Sequence, residues 1–331
     1  MENRKNGAAR SPLLRVFASQ EGIVVGVIVV LCIFFCLASS SFRRYTTIVT
    51  LCNYMYYILL MAIGVTFPLI TGGVDLSIGT GLICYSIVGS YIISQKGMPV
   101  GVGMLVTMLM ALAIGFVNGI VIAKLDLPPF IATLCTMMIV RGLGSILTGG
   151  LSGVWPMEGS NGGWCRNIFK ITVGDQIVPI GMIWMILLII IMSVVLRKTK
   201  VGRYAIAIGS NKEALMLSGV NVVKWQVVAY LISGFFAGLA AIAYACTFSN
   251  ITPGTGAGLE LDAIGGAIIG GTSMSGGSGS ILGTLLGVLV ISLLKTGLPY
   301  VGLQANWQQI ITGLVLIGAV TIDMAKRHKT A

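Results

Sequence analysis

Ten apolar runs of near membrane-crossing length partition this chain, at about residues 22–39, 47–71, 76–95, 100–123, 130–149, 176–196, 226–248, 262–277, 280–297 and 305–324. A helix rises about 1.5 Å per residue, so about 20 apolar residues cross a hydrocarbon core of about 30 Å. All the runs meet that need except 262–277, whose shortness and glycine content suit a broken or partial crossing. The runs are continuous, not dyad-alternating segments of about ten residues, which excludes a β-barrel. Only 9% of residues are charged, where a soluble domain carries roughly a quarter. The fold class is therefore all-α, a polytopic membrane protein with about ten transmembrane helices, some short or broken.

The net charge of +11 is not a nucleic-acid signature, because thirteen of the 21 Lys and Arg gather in residues 4–15, 197–224 and 326–329. That clustering is the positive-inside pattern. Ten crossings put both termini and the basic 197–224 loop on the cytoplasmic side. The chain then divides into a cytoplasmic basic N-terminus (1–21), a single transmembrane unit (22–324) and a cytoplasmic basic tail (325–331). The first run follows a basic leader and ends in small residues, like a signal peptide. Leader and core are both long for one, so an uncleaved first helix is preferred. The outer loop 150–175 holds Trp155, Glu158, Trp164, Arg166 and Lys170; its tryptophans suit an interfacial belt, with a docking lip for an external partner as the alternative. Six of the seven cysteines fall in apolar runs, and Cys165 sits alone in this polar loop. No CxxC or Cys/His cluster occurs, so no metal site is expected.

Residues 254–287 hold twelve glycines, Glu260 and Asp262, and no Lys or Arg, between two apolar helices. Irregular backbone at membrane depth must be buried in protein or face a water-filled cavity. Two readings follow: the lining of a transport route, or close helix packing through small residues. Asp75 in GGVDLSIG is the counterpart of Asp262 in LELDAIGG, and Gly115-xxx-Gly119 that of Gly283-xxx-Gly287. The offsets differ, 187 against 168, so any internal repeat is imperfect. Asp75, Glu260 and Asp262 stand at helix starts, either as caps or as functional intramembrane charges. Arg141 lies inside an apolar run, where it either pairs with an acid or meets a solute.

Motifs of catalysis are missing. There is no GxxxxGK[ST] phosphate loop and no HExxH, and the only histidine, His328, is in the tail, so the GxSG at 276–279 has no histidine base. No enzyme, catalytic residue or bound cofactor is expected. In the basic loop, Ser210 or Asn211 can cap a short helix, NKEALMLSG, that Gly219 ends. Ala214, Leu215 and Leu217 cannot all hide in so short a helix, which calls for a partner groove or the membrane surface.

TGGVDLSIG (71–79), GFVNGIVIAKLDLPPFIATLCTMMIVRG (115–142), GRYAIAIGSNKEALMLSGV (202–220) and ELDAIGGAIIGGTSMSGGSGSILGTLLG (260–287) occur in that order. Together they closely resemble the permease subunits of bacterial ABC sugar importers of the ribose/galactose/xylose/autoinducer-2 type, over about residues 45–324. The resemblance implies an inner-membrane subunit that passes a monosaccharide or similar solute and pairs with a second permease chain, identical or related. It implies two cytoplasmic ATPase domains that hold the ATP, and an extracytoplasmic sugar-binding protein. It identifies 203–220 as the segment that engages the ATPase, with Arg203, Asn211, Glu213, Ala214, Leu215, Ser218 and Gly219. Asp75, Asn118 and Asp262 fall in the signature segments; with Arg141 and Glu260 they are assigned here to the substrate path. One departure is GLPYVGLQANWQQ (297–309), where many relatives carry Asn near Lys295–Thr296. The alternative is an ion-coupled secondary transporter using Asp75 and Asp262 as its relay.

Overall fold

The computed structural model describes residues 20–328, so the basic residues 4–15 and the last three residues of the tail lie outside it. Its helices are α1 (Gln20–Ala38), α2 (Tyr45–Ile70), α3 (Ser77–Ser94), α4 (Val100–Ala123), α5 (Pro129–Thr148), α6 (Gly181–Lys198), α7 (Lys200–Ser210), α8 (Lys212–Leu217), α9 (Val222–Thr247), α10 (Leu259–Ile269), α11 (Ile281–Tyr300) and α12 (Ala305–His328). Among the described residues, eight helices are long and apolar enough to cross a membrane: α1 to α6, α9 and α11. The protein is all-α and polytopic.

Every residue of α2 from Met55 to Ile70 is buried. A helix apolar on all sides belongs inside a bundle, and α2 packs there against α9, α10 and α11. The outer helices show the reverse pattern. Val30, Ile146 and Ile183 are among many large apolar side chains left exposed on α1, α5 and α6, a surface suited to lipid and not to water.

Close helix approach depends on glycine. On α4, Gly115 lies against the Tyr230 carbonyl and the Gly234 Cα of α9, and Gly119 against Val227. On α11, a Cβ at Gly283 or Gly287 would collide with the carbonyls of Gly270 and Gly266. The two GxxxG motifs therefore do the same work at two crossings: they admit backbone where a side chain would stand.

Run 262–277 is shorter as a helix than the apolar pattern suggests. The helix α10 has 11 residues and ends at Ile269, and 270–280 is a loop with Gly271, Gly276 and Gly277 at positive φ. That loop satisfies its own backbone: the amide of Ser273 donates to Ser278 O (3.1 Å) and that of Gly277 to Ile70 O (2.8 Å). Run 176–196 likewise begins later, at Gly181, after a two-stranded antiparallel hairpin, β1 (Ile171–Val173) and β2 (Gln176–Val178).

The loop 150–175 differs most from expectation. Trp155 is fully buried, not interfacial, and its Nε1 donates to Ser86 O at 3.0 Å. Arg166 is buried too, donating to the carbonyl oxygens of Pro156 (2.9 Å), Trp155 (3.2 Å) and Cys246 (3.5 Å). Its guanidinium satisfies carbonyls that a descending loop would otherwise strand. Only Trp164 is exposed as a belt residue would be. Nor is Cys165 alone: it is buried, and its thiol hydrogen-bonds that of Cys246, which with the neighbouring Arg166 charge outweighs burial and lowers its pKa.

Gly287→Val should cost at least about 1–3 kcal/mol through overpacking of the α10–α11 crossing. The thermal unfolding midpoint in detergent checks this, with Gly101→Ala, where a Cβ meets nothing within 4 Å, expected to leave it unchanged.

Candidate functional site

The two interrupted segments meet. Gly79 in the first turn of α3 lies against the side chain and backbone nitrogen of Glu260 in α10, and a Cβ on Gly256 would stand only 3.0 Å from the Gly79 carbonyl oxygen and from Thr80 Cα. The N-terminal ends of α3 and α10 thus converge inside the bundle, as paired broken helices do around a transport route. The five residues assigned to that route nevertheless occupy different places.

Asp75 and Asn118 belong to one buried knot. Asp75 Oδ1 accepts from the Ser77 amide (3.0 Å) and hydroxyl (2.6 Å), and Oδ2 accepts from Ser233 Oγ (2.7 Å). Asn118 Nδ2 donates to Ser77 Oγ (2.9 Å), and Thr136 Oγ1 donates to Asn118 Oδ1 (2.7 Å). The knot joins α3, α4, α5 and α9 in a site with almost no solvent contact. Buried polar networks of this kind, when satisfied, specify the packing of their helices. The cap reading of Asp75 is partly met, since it takes one backbone N–H, but hydroxyls supply the rest.

Glu260 does cap. Its Oε1 accepts from the Gly258 amide (3.1 Å), while Oε2 is buried against Gly79 without a hydrogen-bond partner. Arg141 is exposed beside Gly254 and Thr80, and it makes no ion pair among the described residues, so its expected acidic partner is not there.

Asp262 is different again. It forms an ion pair with Lys295 of α11, on the wall of a cavity of about 470 Å³ between α10, α11 and α12. Thr255, Gln308, Gln309 and Thr312 supply the rest of its polar lining. A cavity of this size, lined by polar and apolar residues in equal number, does not show in apolar periodicity, which finds helices and not the gaps between them. Lys295 was legible as a cation inside an apolar run, the signal already applied to Arg141. In the structure it provides the polar contact that the departure at 297–309 leaves open.

At the other end of α6 lies the basic loop. Its expected short helix is α8, with Asn211 Oδ1 accepting from the Ala214 amide (2.9 Å) and Gly219 closing it at φ +81°. No residue of α8 is buried; Leu217 is 90% and Met216 50% exposed. Glu213, Ala214 and Ser218 are also exposed, and Ser218 Oγ donates to Leu215 O (2.7 Å). Lys212 pairs with Asp126 in the α4–α5 turn at 3.4 Å. The sequence reading missed α7, which carries exposed Arg203 and buries Gly202, Ala205 and Ile208. Its Gly209 is pressed against Ile70 O and Gly277 N. The joint made by α7 thus connects α8 with the 270–280 loop that links α10 to α11. Gly202 and Gly209 look like loop punctuation in the sequence, yet both stand inside α7, where tertiary contact overrides their low helix propensity.

The model of the branched-chain amino acid transport system / permease component family matches residues 47–320. The chain is 35% identical over 274 residues to the ribose import permease protein RbsC of Escherichia coli strain K12, covering 81% of this chain and 82% of that protein. It is 36% identical over 270 residues to RbsC of Bacillus subtilis strain 168, covering 81% of each. To the galactose/methyl galactoside import permease protein MglC of Haemophilus influenzae it is 33% identical over 285 residues, covering 82% of this chain and 84% of that protein. The chain belongs to the permease family of ABC sugar importers. No solved structure matches it. As a permease it is a non-catalytic transport subunit, multi-pass in the inner membrane.

Asp75→Asn replaces an acceptor of three hydrogen bonds with a group that can accept fewer of them, and should destabilise the fold by about 1–3 kcal/mol. Ser233→Ala should reproduce part of the loss. Thermal midpoints of the two variants and their double mutant, read as a cycle, check that both act through the same knot.

Proposed function

We propose that this permease passes a monosaccharide or similar small polyol from an extracytoplasmic sugar-binding protein into the cytoplasm. It works with a second permease chain and two cytoplasmic ATPase domains that bind and hydrolyse the ATP. The ribose and galactose named for its relatives support a monosaccharide as the solute class. The observation that carries the reading is α8: a capped helix with no buried residue, with Met216 and Leu217 bare beside a basic loop. An apolar knob on a charged surface is stable when a partner's groove covers it. The positive-inside pattern puts that knob, and both termini, in the cytoplasm, where the ATPase is.

The stroke follows from the packing. ATP binding closes the ATPase pair and displaces the two α8 knobs. Displacement of α8 drags α7, whose Gly209 leaves no slack against Ile70 O and Gly277 N. Ile70 ends α2, and Gly277 lies in the loop before α11, so the push reaches the α10–α11 hairpin. Packed elements shift as units and do not deform continuously, and the hairpin's movement turns the permease pair from inward- to outward-open. The converged starts of α3 and α10 are then the route's narrow point. Energy comes from the partner, in keeping with a sequence that has no phosphate loop.

Ala214→Asp and Leu217→Asp should each put a charge into the ATPase groove and lower uptake by at least about tenfold, the equivalent of about 1.4 kcal/mol. Uptake and sugar-stimulated ATP hydrolysis in proteoliposomes holding the whole importer check this, with insertion and thermal midpoint unchanged. Normal uptake in both variants would show that α8 is not the docking knob. Gradient-driven accumulation by this chain without an ATPase would instead favour ion coupling through Asp262.

A further inference from the structure

The ion pair in the cavity is not explained by stability. A Lys within a spanning helix is costly to keep in apolar surroundings. Replacing a buried ion pair by apolar residues of similar volume is often neutral or stabilising. Yet Asp262 and Lys295 face each other across α10 and α11, and both line a cavity large enough to hold a small solute. Asp262 is buried and Lys295 is partly open, and both lie on the cavity wall.

The chemistry of the wall is specific. The ammonium of Lys295 donates only, the carboxylate of Asp262 accepts only, and Gln308, Gln309, Thr255 and Thr312 can each do both. A hydroxyl both donates and accepts. A wall of this composition meets several hydroxyls of one molecule at once while contributing no net charge. An anionic solute would have to draw Lys295 away from Asp262 and leave that carboxylate buried and unpaired, a heavy penalty. The cavity lies toward the end of the bundle that carries the β-hairpin. There α11 runs on to Tyr300, which receives a hydrogen bond from Thr47 of α2, and Tyr45 of α2 reaches the hairpin at Ile177 O.

We propose that this cavity is the solute's entry chamber and that the Asp262–Lys295 pair is its charge filter, admitting neutral polyhydroxylated molecules and refusing anionic ones. The inference rests on the importer reading and adds to it a selectivity device within the permease, independent of the delivery protein. In the filter, Asp262 has two tasks: it accepts from a solute hydroxyl, and it keeps Lys295 from attracting an anion. Gln309, exposed on the wall, contributes binding and carries no charge.

The experiment uses the complete importer in proteoliposomes, offered D-ribose, D-fructose or D-galactose, with D-gluconate as an anionic competitor on the hairpin side. Wild-type uptake should be indifferent to gluconate. Asp262→Asn frees the Lys295 ammonium, and uptake by that variant should become sensitive to gluconate, falling by about tenfold at saturating competitor. Lys295→Met together with Asp262→Asn should be slow but insensitive again, because no cation remains. A pair with a purely structural role would lower uptake in the single variant without creating gluconate sensitivity, and that result overturns the proposal. If the charge variants do not assemble, Gln309→Ala decides: a raised half-saturation for sugar at unchanged thermal midpoint supports the chamber, and unchanged half-saturation refutes it. Wild-type importer that takes up none of the three sugars would count against the importer reading, whereas normal wild-type uptake with an insensitive Asp262→Asn variant counts against the filter alone.

Discussion

Backbone that crosses a membrane without regular helix has nowhere to find hydrogen-bond partners except inside the protein. This constraint governs the region from Gly254 to Gly287. The loop after α10 meets it by bonding to itself and to the open C-terminal carbonyl of α2 at Ile70. The α10–α11 crossing meets it by bringing two backbones into contact at Gly266, Gly270, Gly283 and Gly287. With these contacts α10 is only 11 residues long, and the cavity lies at its other, N-terminal end, against α11 and α12. The glycine density is therefore neither a linker nor packing alone. It is close packing of irregular backbone beside a cavity.

A second consequence concerns where rigidity is placed. The Asp75 knot ties α3 to α4, α5 and α9 by hydrogen bonds among buried groups. The descending loop with Trp155 and Arg166 locks the hairpin end of the same helices. The α10–α11 hairpin packs along α2, and α7 meets both at Gly209, which lies against Ile70 O and Gly277 N.

The three acids illustrate how like sequence contexts separate in space. Asp75, Glu260 and Asp262 each precede or open a small-residue helix, and sequence could not distinguish cap from site among them. In the fold, Asp75 is consumed by serine hydroxyls, Glu260 by a backbone amide, and only Asp262 meets a cation and open space. What separates them is the neighbouring helix: α9 brings Ser233, α3 brings Gly79, and α11 brings Lys295. Such neighbours come from residues 33 to 181 positions away, beyond the reach of any local pattern.

The linear order of residues was sufficient for the all-α membrane class, the broken crossing near 262–277, the short capped helix from Asn211 to Gly219, and the family. Each of these depends on local chemistry: continuous apolar length, glycine density, a side-chain cap and a left-handed stop, or the motifs themselves. Tertiary structure alone decided that Trp155 is buried, that Cys165 faces Cys246, that α7 is a helix wedged on Ile70, and that Lys295 partners Asp262. These are matters of which helix lies beside which. That arrangement is set by backbone approach through glycine and by the pairing of buried polar groups, and both depend on three-dimensional proximity that a one-dimensional pattern does not carry.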